Sequence, residues 1–351
     1  MITIVFSILL ILLFVLTFFV NEGKDKNVEG LVYFAISLIM VLLVGTRTPG
    51  VDADSLAYVG NYYNLGSSLT ETLEPSFFLI ANIAKLFGEV QVLFIIYALL
   101  AIPLKTYAIF RLSNFRLLSM MVWIAHFFLL QDMTQIRVAV ATAIFLYALS
   151  DLIKGNKKRY LLLCACAVFF HYSALVLFPI AFLGCKHMGR YWRIFLSVTP
   201  IIFYLMYFRG IDLVSLIPLG AFQDKLDAYE RLRDKGIAGD EINIFNMLAM
   251  FRLLTYYMLI LFYETIYKKC KAIGLYLKIY CVSICCYVGL SFLPALAIRG
   301  SEVFAVIDVV AIPCLCYIVK PSWTMKVAVG IFAIGLFVMN IVLSRYIREF
   351  V

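Results

Sequence analysis

Charge is what this chain lacks. Asp, Glu, Lys and Arg supply only 15% of its 351 residues, while 64% are hydrophobic; soluble domains carry about 25% charge. That balance excludes an ordinary soluble enzyme. Histidine is scarcer still, with three residues, and the nine cysteines form no C-x-x-C pair. They lie inside hydrophobic runs or beside basic loops, so neither a disulfide framework nor a zinc site is expected. There is no Gly-rich phosphate loop and no nucleic-acid module, which argues against a soluble nucleotide donor or a nucleic-acid partner. Internal repeats and low-complexity tracts are also missing.

What remains is a succession of apolar runs of about 17 to 25 residues, the length that crosses a bilayer. The fold class expected is all-α: a polytopic integral membrane protein of about 11–12 transmembrane helices forming a single domain over 1–351. The first run, Ile2 to Val20, has no basic stretch before it and no A-x-A site after it, so it reads as a membrane helix rather than a removed leader.

The net charge of +9 sits in short clusters between the runs, as the positive-inside rule expects. Lys24 and Lys26, Arg111 and Arg116, "KGNKKR" (154–159), "KKCK" (268–271), and Lys320 with Lys326 are assigned to the cytoplasm. The loops near 47–74, 131–136, 209–245 and 295–302 then face outward, and both termini fall outside. One segment decides whether this pattern closes. "YLLLCACAVFFHYSALVLFPIAFLG" (160–184) is long enough for one tilted helix, but a turn near His171 into two short helices returns "CKHMGRYWR" to the basic side, and this hairpin is the preferred reading. The stretch 75–88 reads as an amphipathic helix at the outer interface, so that 47–88 forms a first outward loop. The longer loop 209–245, with mixed charges, is read as a short helix serving as a lid or a connector.

Ionisable groups at membrane depth are costly and mark functional sites. Here they gather on the outward side: Arg47, Asp52, Asp54 and Glu74 on the first loop, then Gln131, Asp132, Gln135 and Arg137, then His171, Arg252, Arg299 and Glu302. Arginine's planar fork suits phosphate, and Tyr58, Tyr62, Tyr63 and Tyr172 suit stacking on sugars. A transporter would be expected to carry such charges to the midplane.

These residues resemble the EpsG/Wzy-type polymerases of bacterial O-antigens and exopolysaccharides. The most specific stretch is "QIRVAVATAIFLYALSDLIKGNKKRYLLLCACAVFFHYSALVLFPI" (135–180), which looks like the family's R-x-x-x-A helix, basic turn, short helix and His. Arg47, Gly50, Asp52 or Asp54, and Tyr58 are similar to its opening-loop pattern. Glu74 in "EPSFFLI" is similar to its Glu-x-x-Phe, and "IRGSEVFAVIDVVAIP" resembles its late Arg segment. The resemblance implies a fold like C-type glycosyltransferases and an enzyme of the bacterial inner membrane with a periplasmic site. That enzyme would join undecaprenyl-diphosphate-linked repeat units, donor to acceptor, and release undecaprenyl diphosphate. It would work in the lipid bilayer beside a chain-length regulator and a flippase.

For that reaction Arg137, Arg299 and Arg252 are the candidates to hold the diphosphate, with Arg47, Gln135, Tyr58, Tyr172 and Glu302 as further substrate contacts. Asp54, Glu74 and His171 compete as the base, with Asp52 behind them. Asp54 is favoured of the two aspartates in the family's pattern, and one of the pair is also a candidate N-cap for a helix starting near Ser55. Glu302 or Asp308 would be the partner if Arg137 or Arg299 were merely structural. "DAD" matches a D-x-D metal spacing, but with arginines present no cofactor is expected and a divalent ion is the disfavoured alternative. A lipid-linked oligosaccharide flippase and a membrane O-acyltransferase are the rival classes.

Overall fold

The computed structural model describes residues 2–20, 26–66, 73–211 and 242–342. Most of the outward loop 209–245 lies outside the described residues. The described chain is all helical. Its elements are α1 (Ile2–Phe19), α2 (Lys26–Gly45), α3 (Ser55–Tyr63), α4 (Pro75–Leu86), α5 (Gln91–Leu112) and α6 (Arg116–Val122), the last running into a π-helix at Trp123–Thr134. Then follow α7 (Ile136–Ile153), α8 (Lys157–Phe170), a 3₁₀ helix at Tyr172–Phe182 and α9 (Arg190–Phe208). The last part holds α10 (Met247–Leu261), α11 (Tyr263–Tyr267), α12 (Ile273–Gly289), α13 (Pro294–Ala305), α14 (Asp308–Ala311), a second 3₁₀ helix at Ile312–Tyr317 and α15 (Trp323–Val342).

Six of these segments are long and apolar enough to cross a membrane on length and composition alone, and six shorter apolar helices accompany them. The protein is therefore a multi-pass membrane protein. The segment Arg116–Thr134 is fully buried among the others, whereas Arg190–Phe208 is only 11% buried and lies on the perimeter. Its exposed Trp192, Phe195 and Ile202 are what a lipid-facing helix shows.

The segment 160–184 folds back as expected. His171 takes an extended backbone, φ −155° and ψ 123°, which ends α8. Tyr160 Oη donates to Leu177 O at 2.9 Å, a contact that a continuous helix, some 25 Å long over that span, forbids. The legs match because their residue counts and rises compensate: 14 α-helical residues at 1.5 Å reach about 21 Å, and 11 residues of 3₁₀ helix at 2.0 Å reach about 22 Å. The return leg ends where it began, with Cys185 Sγ donating to Leu152 O at 3.6 Å.

The basic clusters meet at one end of the bundle, here the basic end. Arg116 pairs with Glu29, Asn114 with Tyr317, Tyr276 with Leu112 O and Lys326 with Thr17 O. His187, from "CKHMGRYWR", meets Glu264 there at 3.2 Å, which only the hairpin allows.

One expectation needs correction. The segment 131–136 is not a loop: the π-helix continues to Thr134 and α7 starts at Ile136. Gln131 and Asp132 are buried and bind Lys105 Nζ at 3.1 and 2.9 Å. A buried ammonium from α5 requires that carboxylate, and Trp123 Nε1 donates to the same oxygen at 2.9 Å.

Candidate functional site

The first loop is shaped by two neighbours of opposite sign. Pro49 and Gly50 occupy the centre of a turn closed by Val51 N–H on Thr48 O at 3.3 Å. Gly50 has φ +98°, which a Cβ would strain. The turn folds Arg47 back inside, where it is 2% exposed. There it donates to Val44 O at 2.7 Å and Met133 O at 2.6 Å, carbonyls at the ends of α2 and the π-helix. Such carbonyls have no helical partner and carry the negative end of the helix dipole. The third guanidinium contact is Asp52 Oδ2, at 2.8 Å.

Asp52, wholly buried, spends its other oxygen on the backbone. Oδ1 accepts from Asp54 N–H at 3.1 Å and Ser55 N–H at 2.9 Å, which starts α3 at Ser55. The loop aspartate that serves a helix start is thus Asp52. The structure places Arg47 and Asp52 in a buried clamp, and the cavity that Asp54 lines includes neither of them.

Asp54 stands two positions further and makes no side-chain cap to α3. It lines a cavity of about 80 Å³. Tyr58, one turn along α3, shares that wall, with Gln135 and Arg137 from the start of α7, His171 and Ser173 from the hairpin tip, and Arg299 and Glu302 from α13. Arg299 and Glu302, three apart, lie on one helix face. Four distant segments named in the sequence therefore converge.

Behind the wall lies Glu74, 3% exposed. Pro75 opens α4 directly after it, and the Glu74 side chain caps no N–H of that helix. Its carboxylate instead takes Arg137 on Oε2 and His171 Nδ1 on Oε1, at 2.6 Å. Arg137 needs this anion, since a cation in the first turn of α7 faces the positive end of the helix dipole. Burial alone would raise the Glu74 carboxyl, but the hydrogen bond from His171 and the charge of Arg137 outweigh it and hold it below its ordinary value. Glu74 does not line the cavity, so it serves as an anchor for two residues that do.

The anchor fixes the imidazole. With an ionised carboxylate on Nδ1, the neutral ring carries its proton there and presents Nε2 as an acceptor. The Tyr58 ring lies 5.7 Å from the Arg137 guanidinium. Burial, opposed by the Arg137 charge, pushes its hydroxyl up to about 12, so it stays a neutral donor. Arg137 Nε is buried with no protein partner, and Arg299 makes no ion pair with a described residue. Two fixed cations thus line the same cavity. Ser173, which no sequence signal singled out, adds a buried hydroxyl with no partner.

Gln135 Nε2 reaches Glu302 Oε2 at 3.5 Å. Two candidates lie elsewhere. Tyr172 is 48% exposed and outside the cavity lining. Arg252 is bound by Asp308, at 2.7 Å from Nε, and donates to Ser283 Oγ at 2.9 Å. Asp308, expected to partner Arg137 or Arg299, serves Arg252 instead. That pair lines a neighbouring cavity of about 180 Å³, which touches the first through Glu302.

The fold and the site define a polytopic, all-helical membrane protein with a polar, arginine-bearing cavity remote from its basic end. The chain belongs to the EpsG family, whose profile matches residues 30–350. No curated protein and no solved structure matches it significantly. Family membership suggests a function of the polysaccharide-polymerase type.

Proposed function

We propose that the protein is a glycosyltransferase that joins undecaprenyl-diphosphate-linked oligosaccharide repeat units on the periplasmic face of the bacterial inner membrane. The growing glycan passes from its carrier to the non-reducing end of a new lipid-linked unit, and undecaprenyl diphosphate leaves. The observation that carries this reading is the cavity itself, which Arg299 and Arg137 line together with Asp54 and His171, the last held beside Arg137 by the shared Glu74 carboxylate. Its position opposite the basic end agrees with an outward-facing site, because basic loops stay in the cytoplasm.

The assigned roles follow from charge. The C1–O bond to the diphosphate breaks as the acceptor hydroxyl forms a new C1–O bond, and negative charge grows on the departing phosphate oxygen. Arg299 and Arg137 offer fixed positive charge there, which favours the transition state over the ground state. His171 Nε2 takes the hydroxyl proton, and Asp54 orients the acceptor sugar with Tyr58 and Gln135. No metal is required in this scheme, since Asp52 is consumed by Arg47 and the "DAD" pair does not present two carboxylates to one ion. A chain-length regulator and a flippase are its expected companions.

The test is the lipid-linked glycan pattern of cells carrying Arg299→Ala. Single repeat units in place of a polymer ladder support the polymerase. A normal ladder refutes it, and loss of surface units altogether indicates a flippase.

A further inference from the structure

At the basic end, between the hairpin and α9, lies a cleft of about 570 Å³ lined by Lys157, Lys186, Lys278 and Trp192. It continues into an apolar groove of about 470 Å³ between α9 and α12, and the two share Leu183, Trp192 and Lys278. We propose that this head-and-groove pair binds one anionic phospholipid of the cytoplasmic leaflet. The proposal is independent of the polymerase reading.

The headgroup argument starts from Lys278. It is 7% exposed, and its Nζ donates to Gly184 O at 2.6 Å and lies 5.0 Å from the Trp192 ring. Both partners are neutral, and a buried ammonium needs an anion. The carboxylates nearby are already taken: Glu264 by His187 and Arg193, each at 3.2 Å, and Asp151 by Arg159 at 3.3 Å. Lys157 and Lys186 are exposed at the same rim and make no ion pair with a described residue. Three lysines thus face a cleft without a counter-ion, and a phosphate diester supplies one.

The groove sets the tail. Trp192, Phe195, Thr199 and Phe203 line it from α9 at helical spacing, a stripe of about 16 Å along the axis. That is half of a ~30 Å hydrocarbon core, the depth of one leaflet, and so suits an acyl chain of ordinary length. A long polyprenyl carrier would outrun it. Thr199 spends its hydroxyl on Phe195 O, at 2.7 Å, which leaves the groove wall without a free donor there.

The experiment uses the full chain in detergent, exposed to equal amounts of phosphatidylglycerol and phosphatidylcholine, with bound lipid read by native mass spectrometry. One phosphatidylglycerol is expected to be retained in preference. Lys157→Gln with Lys186→Gln, both at the surface, should cut that retention roughly tenfold or more. Lys278→Met should cut it further, while Lys278→Arg keeps it. Equal retention of the two lipids, or an unchanged preference in the surface double variant, overturns the proposal. So does displacement of the bound lipid by stoichiometric undecaprenyl phosphate, which would make this a carrier site. Should Lys278→Met fail to fold, the surface pair decides the matter.

Discussion

Glu74 Oε1 lies 2.6 Å from His171 Nδ1 although 97 residues separate them in the chain, and the other oxygen of the same carboxylate holds Arg137. One buried anion thus sets the tautomer of the ring and the position of the guanidinium. Its loss should be felt through both. Glu74→Gln keeps the size but removes the charge that stabilises Nδ1–H, so polymer output should fall about 10²-fold or more, in line with orienting carboxylates elsewhere. A positioning role predicts in addition that the pH profile of the residual activity shifts. An unchanged profile with normal output would remove Glu74 from the site.

The same carboxylate gives a stability prediction whose sign is fixed. Its pKa is depressed in the folded protein, so its stabilisation is complete above the ordinary carboxylate value near 4.5 and disappears as pH falls through the lower folded value. Solubilised protein should therefore lose thermal stability on acidification below about pH 4.5. Glu74→Gln should flatten that part of the curve while lowering the plateau at neutral pH.

The two loop aspartates should separate cleanly. Asp52 is wholly buried against Arg47, and removing one member of a buried pair leaves the other charge stranded, at a cost of ~3–5 kcal/mol. Asp52→Asn should lower expression and thermal stability. Asp54→Asn should leave both near wild type and abolish the glycan ladder. With Asp52 engaged by Arg47 and the backbone at the start of α3, the proposed metal-free scheme predicts that chelation by EDTA leaves polymerisation in membranes unchanged. The reverse pattern for the two aspartates would return Asp52 to the catalytic list.

Much of this was legible in the sequence because charge at membrane depth is so sparse. The positive-inside pattern favoured a fold-back near His171 over one tilted helix, and the Tyr160–Leu177 contact shows that fold-back. Arg137, His171, Arg299, Glu302, Gln135, Tyr58 and Asp54 all reach one cavity. What the chain does not encode locally is which charges neutralise each other. Glu74 reads as a free carboxylate until α4 packs it against α7 and the hairpin, and Asp132 reads as a loop residue until the π-helix brings it to Lys105. Arg252 had no visible partner because Asp308 lies 56 residues away. Ion pairing at such separations is set by tertiary packing, to which hydropathy and motif spacing are blind.

Arg252 and Arg299 supply the sharpest contrast between a structural and a functional arginine. Arg252 is engaged by Asp308 and Ser283, so Arg252→Ala should destabilise the protein, and Arg252→Met combined with Asp308→Leu should recover much of that loss because no stranded charge remains. Arg299 has no ion-pair partner among the described residues to strand. Arg299→Ala should leave the melting temperature unchanged and reduce polymer formation about 10²–10³-fold, the usual cost of removing one preorganised donor to a developing anion. Arg299→Lys should restore little, since a point charge does not reproduce the planar fork on a diphosphate. Thermal shift assays beside glycan ladders for these four variants decide the assignment: a stable Arg252→Met, Asp308→Leu protein that forms no polymer would move Arg252 and its larger cavity into the reaction.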